Sequence, residues 1–295
     1  MGELLMVLVG GAKFGAIYAL AALGLVLIHK ATRIVNFAHG GLVMLGAYAT
    51  YVVVVDWQWP YWTAFLVVPL VIGALSAALE YAILRPLRRA DLFIVLIGTI
   101  FLGIALSESF RLASNTEMLA VPPAVGGAPF ILRGEDFFAI VTREQIFVIL
   151  GALAAGLAGI ALFRYSVLGR SMRAMASNPR GAQLCGYSVE AVYASAWFLG
   201  GALAGLAGVF AAPSSGVSPD LAVAVVAAAF VAAVIGGFDS LAGAVIGGLL
   251  LGMAETLSAA YVSSAMKNAV SFTLLFIVLL WRPEGLFPEA KRRHV

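Results

Sequence analysis

The chain has 295 residues, of which 62% are hydrophobic and only 11% charged, with a mean hydropathy of +1.02. About a quarter of the residues of a soluble domain are charged, so this composition excludes an ordinary globular domain and indicates a polytopic membrane protein. The net charge of +3 is no nucleic-acid signal, and a single cysteine, Cys185, excludes an intrachain disulfide.

Apolar runs fall near 5–28, 40–55, 62–84, 93–112, 145–163, 190–212, 221–236, 243–261 and 268–281. Most have the ~17–25 residues that a helix needs to cross ~30 Å of hydrocarbon. The short alternating segments of a barrel are absent. The expected fold is therefore all-α: one transmembrane domain over 1–295, a bundle of eight or nine helices with interrupted segments. The first run, MGELLMVLVGGAKFG, lacks a basic leader and contains Lys13, so it reads as a retained helix; Lys13 reaches the surface if that helix is tilted. Segments 40–55 and 221–236 are short, and half-insertion of either leaves eight crossings open.

Charge placement sets the expected orientation. Arg85, Arg88 and Arg89 form a basic turn, Arg164–Glu190 is a basic loop, and the tail carries Arg282, Lys291, Arg292 and Arg293. All three belong in the cytoplasm by the positive-inside rule. The stretch 113–144 is rich in Pro and Gly and holds Glu117, Glu135, Asp136 and Glu144 against Arg133 and Arg143, so it is expected outside. The cluster Trp57, Trp59, Tyr61 and Trp62 reads as an external aromatic belt. Nine crossings put the N-terminus outside and the C-terminus inside.

Small residues recur four apart: Gly201 and Gly205, Gly243 and Gly247, Gly248 and Gly252, and the stripe Gly151, Ala155, Gly159. Such faces let helix backbones approach closely in lipid. Among the charges inside apolar runs, Glu108 and Arg111 are three apart and pair on one face. Glu80 sits near Arg85 and reaches the cytoplasmic surface with it. Glu255 lies deeper, in LLLGMAETLSAAY, with no local partner, and reads either as a hydrogen-bonded structural group or as a pathway group.

Two apolar segments are broken by polar, Gly-ended interruptions: Ile34–Gly41, containing Asn36, His39 and Gly40, and Ile235–Gly243, containing Gly236, Gly237, Asp239 and Ser240. Interrupted segments point to a transport pathway, because unwound backbone is tolerated only against protein or water. The alternative is a capped surface loop, with Asn36, Asp239 or Ser240 as caps and His39 solvated. Asn36, His39, Gly40, Gly236, Gly237 and Glu255 are the candidate pathway residues.

The least hydrophobic internal stretch is RYSVLGRSMRAMASNPRGAQLCGYSVE, Arg164 to Glu190. It reads as a short helix over 169–176, a break at Asn178-Pro179, a second helical piece over 180–184, and a turn at Gly186. A basic, structured cytoplasmic loop offers a surface to a soluble partner. Arg170 and Arg173 share a face, suited to acids on that partner or to lipid phosphates, and Arg164 reads as a membrane anchor. No G-x-x-x-x-G-K-[ST] loop occurs, so the chain is not expected to hydrolyse ATP itself. His29, His39 and His294 are scattered, no metal site is expected, and no nucleophile–base set supports an intramembrane enzyme.

The segments IVNFAHGGLVMLGAY, LGRSMRAMASNPRGAQLCGYS, GALAGLAGVFAAP, FVAAVIGGFDSLAGAVIGGLLLGMAE and WRPEGLF, in that order from about Gly15 to Phe287, resemble the permeases of high-affinity branched-chain amino-acid ABC importers. The resemblance is to the shorter of that system's two permeases. It implies half of a heterodimeric pore in a bacterial inner membrane, a second permease subunit, two ATP-binding cassette subunits holding ATP and Mg, an external substrate-binding protein, and no cofactor on this chain. It also implies that a short cytoplasmic helix docks on the ATPase; the matching positions are Gly169, Arg170, Met172, Arg173, Ala174, Asn178, Ala182 and Gly186. The family includes importers of urea, short amides and aromatic acids, so the small-molecule substrate stays open. The competing reading is a secondary transporter driven by an ion gradient, for which Glu255 is the one deep titratable candidate.

Overall fold

A computed structural model describes residues 2–88, 90–114, 118–134 and 137–287. Arg89, Glu117, Glu135, Asp136, Lys291, Arg292 and Arg293, which entered the charge argument, lie outside the described residues, as does His294. The chain folds into a helical bundle in the order α1 (Gly2–Thr32), α2 (His39–Tyr51), α3 (Tyr61–Leu79), α4 (Arg85–Leu87), α5 (Leu92–Ser114), β1 (Phe130–Gly134), β2 (Phe137–Val141), α6 (Arg143–Tyr165), α7 (Val167–Ser177), α8 (Pro179–Leu184), α9 (Val189–Ser215), α10 (Pro219–Gly236), α11 (Leu241–Tyr261) and α12 (Lys267–Trp281). Short π-helical stretches extend α2 over Val52–Asp56 and join α3 to α4 over Glu80–Leu84.

Among the described residues, eight helices are long and apolar enough to cross a membrane. The two segments whose length left crossing open, now His39–Asp56 and Pro219–Gly236, are both among them at 18 residues each. The short element is the last one, α12, at 15 residues. The stretch 113–144 also departs from a plain loop. Phe130–Gly134 and Phe137–Val141 pair antiparallel, from Phe130 with Val141 to Gly134 with Phe137. Its β-branched and aromatic residues suit a pleated pair, a signal that the surrounding Pro and Gly masked.

Helix boundaries follow local chemistry. Thr142 and Gln145 form a reciprocal capping box at the start of α6, and Ser166, Asn178, Ser188 and Ser240 accept from the first-turn N–H groups of α7, α8, α9 and α11. Pro179 and Pro219 occupy first-turn positions, where the missing N–H costs nothing.

The long first helix is the axis of the core: its residues from Gly15 to Ile28 are all buried or nearly so. It packs along α11 through small residues, with Gly11 against Met253, Gly15 against Leu249, and Gly248 against Ala19. The Gly201/Gly205 pair admits α3 at Ser76, Ile72 and Pro69, and Gly243/Gly247 admits α10 at Gly236 and Ala232. The 151–159 stripe behaves differently. Gly151 meets the ring of Phe210 and Gly159 meets Leu203 and Leu23, so side chains, not backbones, fill that contact.

Contacts among the connections sort into two faces. On one, Trp57, Trp59 and Trp62 are exposed, Trp62 packs edge-on against Phe147, Glu144 accepts from Ser214 (3.0 Å), and Leu119 forms a β-bridge with Val217. On the other, Arg33 pairs with Asp239 (3.0 Å), Lys30 donates to the Asp239 carbonyl (2.8 Å), Arg85 pairs with Glu190, and Leu286 donates to Ile235 (2.8 Å). The tryptophan-bearing and arginine-bearing connections thus lie on separate faces of the bundle. Glu80 departs from expectation. It is buried and paired with Arg88, whose guanidinium lies over Tyr193 at 4.5 Å, so it does not reach the surface with Arg85. The expected pair of Glu108 and Arg111 forms at 3.5 Å.

Candidate functional site

Two regions carry polar chemistry that bundle packing alone does not require: the α7–α8 loop on the arginine face and a set of cavities around α10 on the tryptophan face.

The loop forms the helix, break and helix that its sequence suggests, with Asn178 capping α8 through Gly181 N–H (3.0 Å). Gly186 turns the chain at φ +86°, in the left-handed region, with open space around its α-carbon; the backbone angle, not crowding, favours glycine there. The helix α7 is strongly two-sided. Gly169, Ser171, Met172 and Met175 are buried against the bundle, as is Ala182 of α8. Gly169, Met172 and Ala182, expected at a partner surface, thus support the loop from behind. Gly169 lies directly on the Phe163 backbone, where any Cβ would collide.

One of the arginines is also redirected. Arg173 donates to the Phe163 carbonyl and lies over that ring at 5.5 Å, and Arg170 reaches the Tyr165 carbonyl at 3.5 Å. These carbonyls are among the last of α6 and lack intrahelical donors, so cations there stabilise the helix end. Arg173 thereby fastens α7 to α6, while Arg170 stays exposed beside the Tyr165 carbonyl. Arg164 is exposed beside Tyr165. Ala174 is half-buried, and the outward groups include Asn178, Arg180, Gln183, Leu184, Cys185 and Gly186. Leu184 is 90% exposed at the tip, a feature that no pattern in the sequence singles out.

Across the molecule, three cavities of ≈ 280, ≈ 210 and ≈ 400 Å³ all have Asp220, in the first turn of α10, in their walls. The largest lies among α10, α11 and α12 and is lined by Val223, Ala227, Val231 and Phe272 together with Glu255 and Ser271. Glu255 is 4% exposed yet has three partners from two other helices. Tyr18 of α1 donates to Oε2 at 3.0 Å, Ser271 of α12 donates to Oε1, and Lys267 Nζ stands 3.4 Å from Oε2. Lys267 also donates to the Tyr18 hydroxyl (3.3 Å). Glu255, read as lacking a local partner, has its counter-ion twelve residues on, across the α11–α12 turn.

The remaining pathway candidates do not join this cluster. Asn36 is fully buried, and its Oδ1 accepts from Ala38 N–H (3.0 Å) in a turn that leads into α2. His39 is fully buried too, not solvated; its ring lies against Gly24 of α1. Gly40 sits under the Ala222 carbonyl of α10. Gly236 and Gly237 form the α10–α11 corner on the arginine face, where Gly236 packs on Gly243, Gly237 has φ +103°, and Ser240 caps α11. Gly40, Gly236 and Gly237 therefore close helix contacts at the two breaks. No group of three or more His, Cys, Asp and Glu gathers to hold a metal among the described residues.

A multi-pass bundle with a tethered loop on its basic face and cavities beside its polar interior is a membrane permease. The family model for the permease component of the branched-chain amino acid transport system matches residues 7–279, and the chain belongs to that family. It is 35% identical over 293 residues to the high-affinity branched-chain amino acid transport system permease protein LivH of Escherichia coli K12, covering 96% of this chain and 95% of LivH. It is 31% identical to BraD, the corresponding permease protein of Pseudomonas aeruginosa, over 97% and 96% of the two chains. LivM of E. coli, a permease protein of the same system, is 25% identical, with 93% of this chain covering 68% of LivM. The resemblance to the shorter permease is borne out: LivH is matched almost end to end, and LivM only in part.

Proposed function

We propose that this chain forms half of the pore of an ATP-driven importer of branched-chain amino acids or a related small substrate, paired with a second permease subunit in the bacterial inner membrane. Two cytoplasmic ATPase subunits, which bring ATP and Mg, act on it through the 169–186 loop, and an external binding protein delivers substrate to the tryptophan face. The arginine face is cytoplasmic, with the first residues outside and the last inside, because Lys30, Arg33, Arg85, Arg88, Arg164, Arg170, Arg173 and Arg180 cluster there.

The observation that carries the coupling reading is the attachment of α7 to α6. Gly169 against the Phe163 backbone and Arg173 on its carbonyl make loop and membrane helix one rigid piece, while Leu184 stands exposed for a partner groove. An apolar anchor in a partner pocket is where interface energy concentrates, so Leu184→Asp leaves insertion intact and lowers ATPase co-purification and uptake together. Leucine uptake into vesicles that needs ATP and the binding protein supports the reading; uptake driven by a proton or sodium gradient without ATP overturns it in favour of a secondary transporter built on Glu255 and Lys267.

A further inference from the structure

The cavities that meet at Asp220 hold opposite charges beside an apolar wall, a combination with a definite chemical complement. We propose that the ≈ 210 and ≈ 400 Å³ cavities together form a subsite for a zwitterionic α-amino acid with an apolar side chain. Lys267 takes the carboxylate, Asp220 takes the ammonium group, and the α10 face at Val223, Ala227 and Val231 takes the side chain. This rests on the import reading and adds to it the groups that recognise substrate within the membrane subunit.

The two cavities share Asp220 and Ala224 in their walls and so adjoin. Together they fall in the ~300–1,000 Å³ range of small-ligand sites, mostly apolar with a few placed polar groups. An ammonium has three N–H donors. Lys267 directs one to the Tyr18 hydroxyl and one toward Glu255, which leaves a third, and its side chain is 39% exposed. Glu255, held also by Tyr18 and Ser271, fixes the ammonium at the cavity rim and balances its charge. Asp220 is exposed in the first turn of α10 and makes no ion pair with any described residue, whereas the other charges nearby, Glu108 and Arg111, are paired with each other. On the exposed face of α10, Asp220, Val223, Ala224 and Ala227 fall at helical spacing, so carboxylate and apolar wall lie on one line. A free carboxylic acid would leave Asp220 without a cation, and a free amine would leave the third N–H of Lys267 without an acceptor. Only a molecule with both charges satisfies both.

The test uses the assembled importer in lipid nanodiscs without its binding protein, with radiolabelled leucine as probe and 4-methylpentanoate (no ammonium) and 3-methylbutylamine (no carboxylate) as competitors. Removing either charge-assisted hydrogen bond is expected to weaken binding about tenfold or more, so both analogues compete at least tenfold less well than leucine. Asp220→Asn removes the advantage of leucine over 4-methylpentanoate, and Lys267→Met removes its advantage over 3-methylbutylamine, while Lys267→Arg keeps it. Ala224→Trp, at an exposed position common to both cavities, abolishes binding in a complex that still assembles. Equal competition by leucine and both analogues, or unchanged discrimination in the Asp220 and Lys267 variants, overturns the subsite. So does a wild-type complex that binds no leucine yet imports it with ATP and binding protein, a result that leaves the import reading standing. A complex that shows no ATP-dependent uptake at all removes the import reading itself.

Discussion

Glycines one residue apart in α1 should respond in opposite ways to the same small substitution. A Cβ placed on Gly10 meets only the Thr256 methyl at 3.7 Å, an ordinary contact. Alanine there adds no clash and gains helix propensity, a stabilisation of roughly 0.5–1 kcal/mol. A Cβ on Gly11 lies 2.8 Å from Met253 Cα, and one on Gly15 lies 2.8 Å from Leu249 Cα. Both neighbours are backbone and cannot rotate away, so α1 and α11 must separate by about 0.6 Å to restore a contact of about 3.4 Å between carbons. Over-packing of this kind costs about 1–3 kcal/mol, which outweighs the propensity gain. Thermal unfolding of the detergent-solubilised complex, followed by loss of the monodisperse peak, reads the difference directly. Gly10→Ala is expected at or slightly above wild type, with Gly11→Ala and Gly15→Ala several degrees below. If Gly11→Ala matches Gly10→Ala, the backbone-to-backbone packing of α1 on α11 is wrong.

The Glu255–Lys267 pair gives a second prediction. Lys267→Met strands a buried carboxylate and should destabilise by about 3 kcal/mol, the low end for a broken buried pair because the lysine side is partly open. The double variant Glu255→Gln/Lys267→Met carries no stranded charge and keeps a carbonyl acceptor for one of the Tyr18 and Ser271 hydroxyls and an N–H donor to the other, so it should recover most of that stability; a double mutant as unstable as the sum of the two single variants refutes the pairing. In the loop, Gly169→Val drives a side chain into the Phe163 backbone and should detach α7, giving normal membrane insertion but faster proteolysis between 165 and 187 and uncoupled ATP hydrolysis. Gly186→Ala should cost only about 1 kcal/mol, since its surroundings are open and only the positive φ resists, and measurable coupling should persist.

Much of the membrane architecture was legible because hydrophobic length is a strong signal and charge fixes alternation. The break at Asn178-Pro179 and the turn at Gly186 were equally readable, since Pro at a first helical position and Gly at positive φ are local requirements. Tertiary partners were not legible. Glu255 looked alone because Tyr18 is 237 residues away and Lys267 lies beyond a turn. A hydroxyl in the middle of an otherwise apolar α1 was the signal that could have pointed there. Arg173 read as an outward charge because nothing in sequence shows that α6 ends with an open carbonyl beneath it. His39 read as a loop residue or a pathway group because a polar residue beside Gly-Gly is ambiguous until the depth of the break is known.

The distribution of close contacts also bears on which parts can move. From α7, the attachment runs through Phe163 at the end of α6 to Lys30, whose ammonium lies 5.5 Å over the same ring at the end of α1. From there α1 runs backbone-to-backbone along α11 at Gly11, Gly15 and Ala19, and α11 carries Glu255 at the cavity wall. Close-packed backbones transmit displacement because they cannot be compressed and have no alternative rotamers. By contrast, α12 meets α1 and α11 through the Lys267 and Ser271 side chains on Tyr18 and Glu255. On the proposed coupling, a push at Leu184 would tilt α1, α6 and α11 as one body, with slack taken up where α12 and α5 border the cavities. The polar wall of the cavity would then shift against its apolar wall without any of the glycine contacts opening.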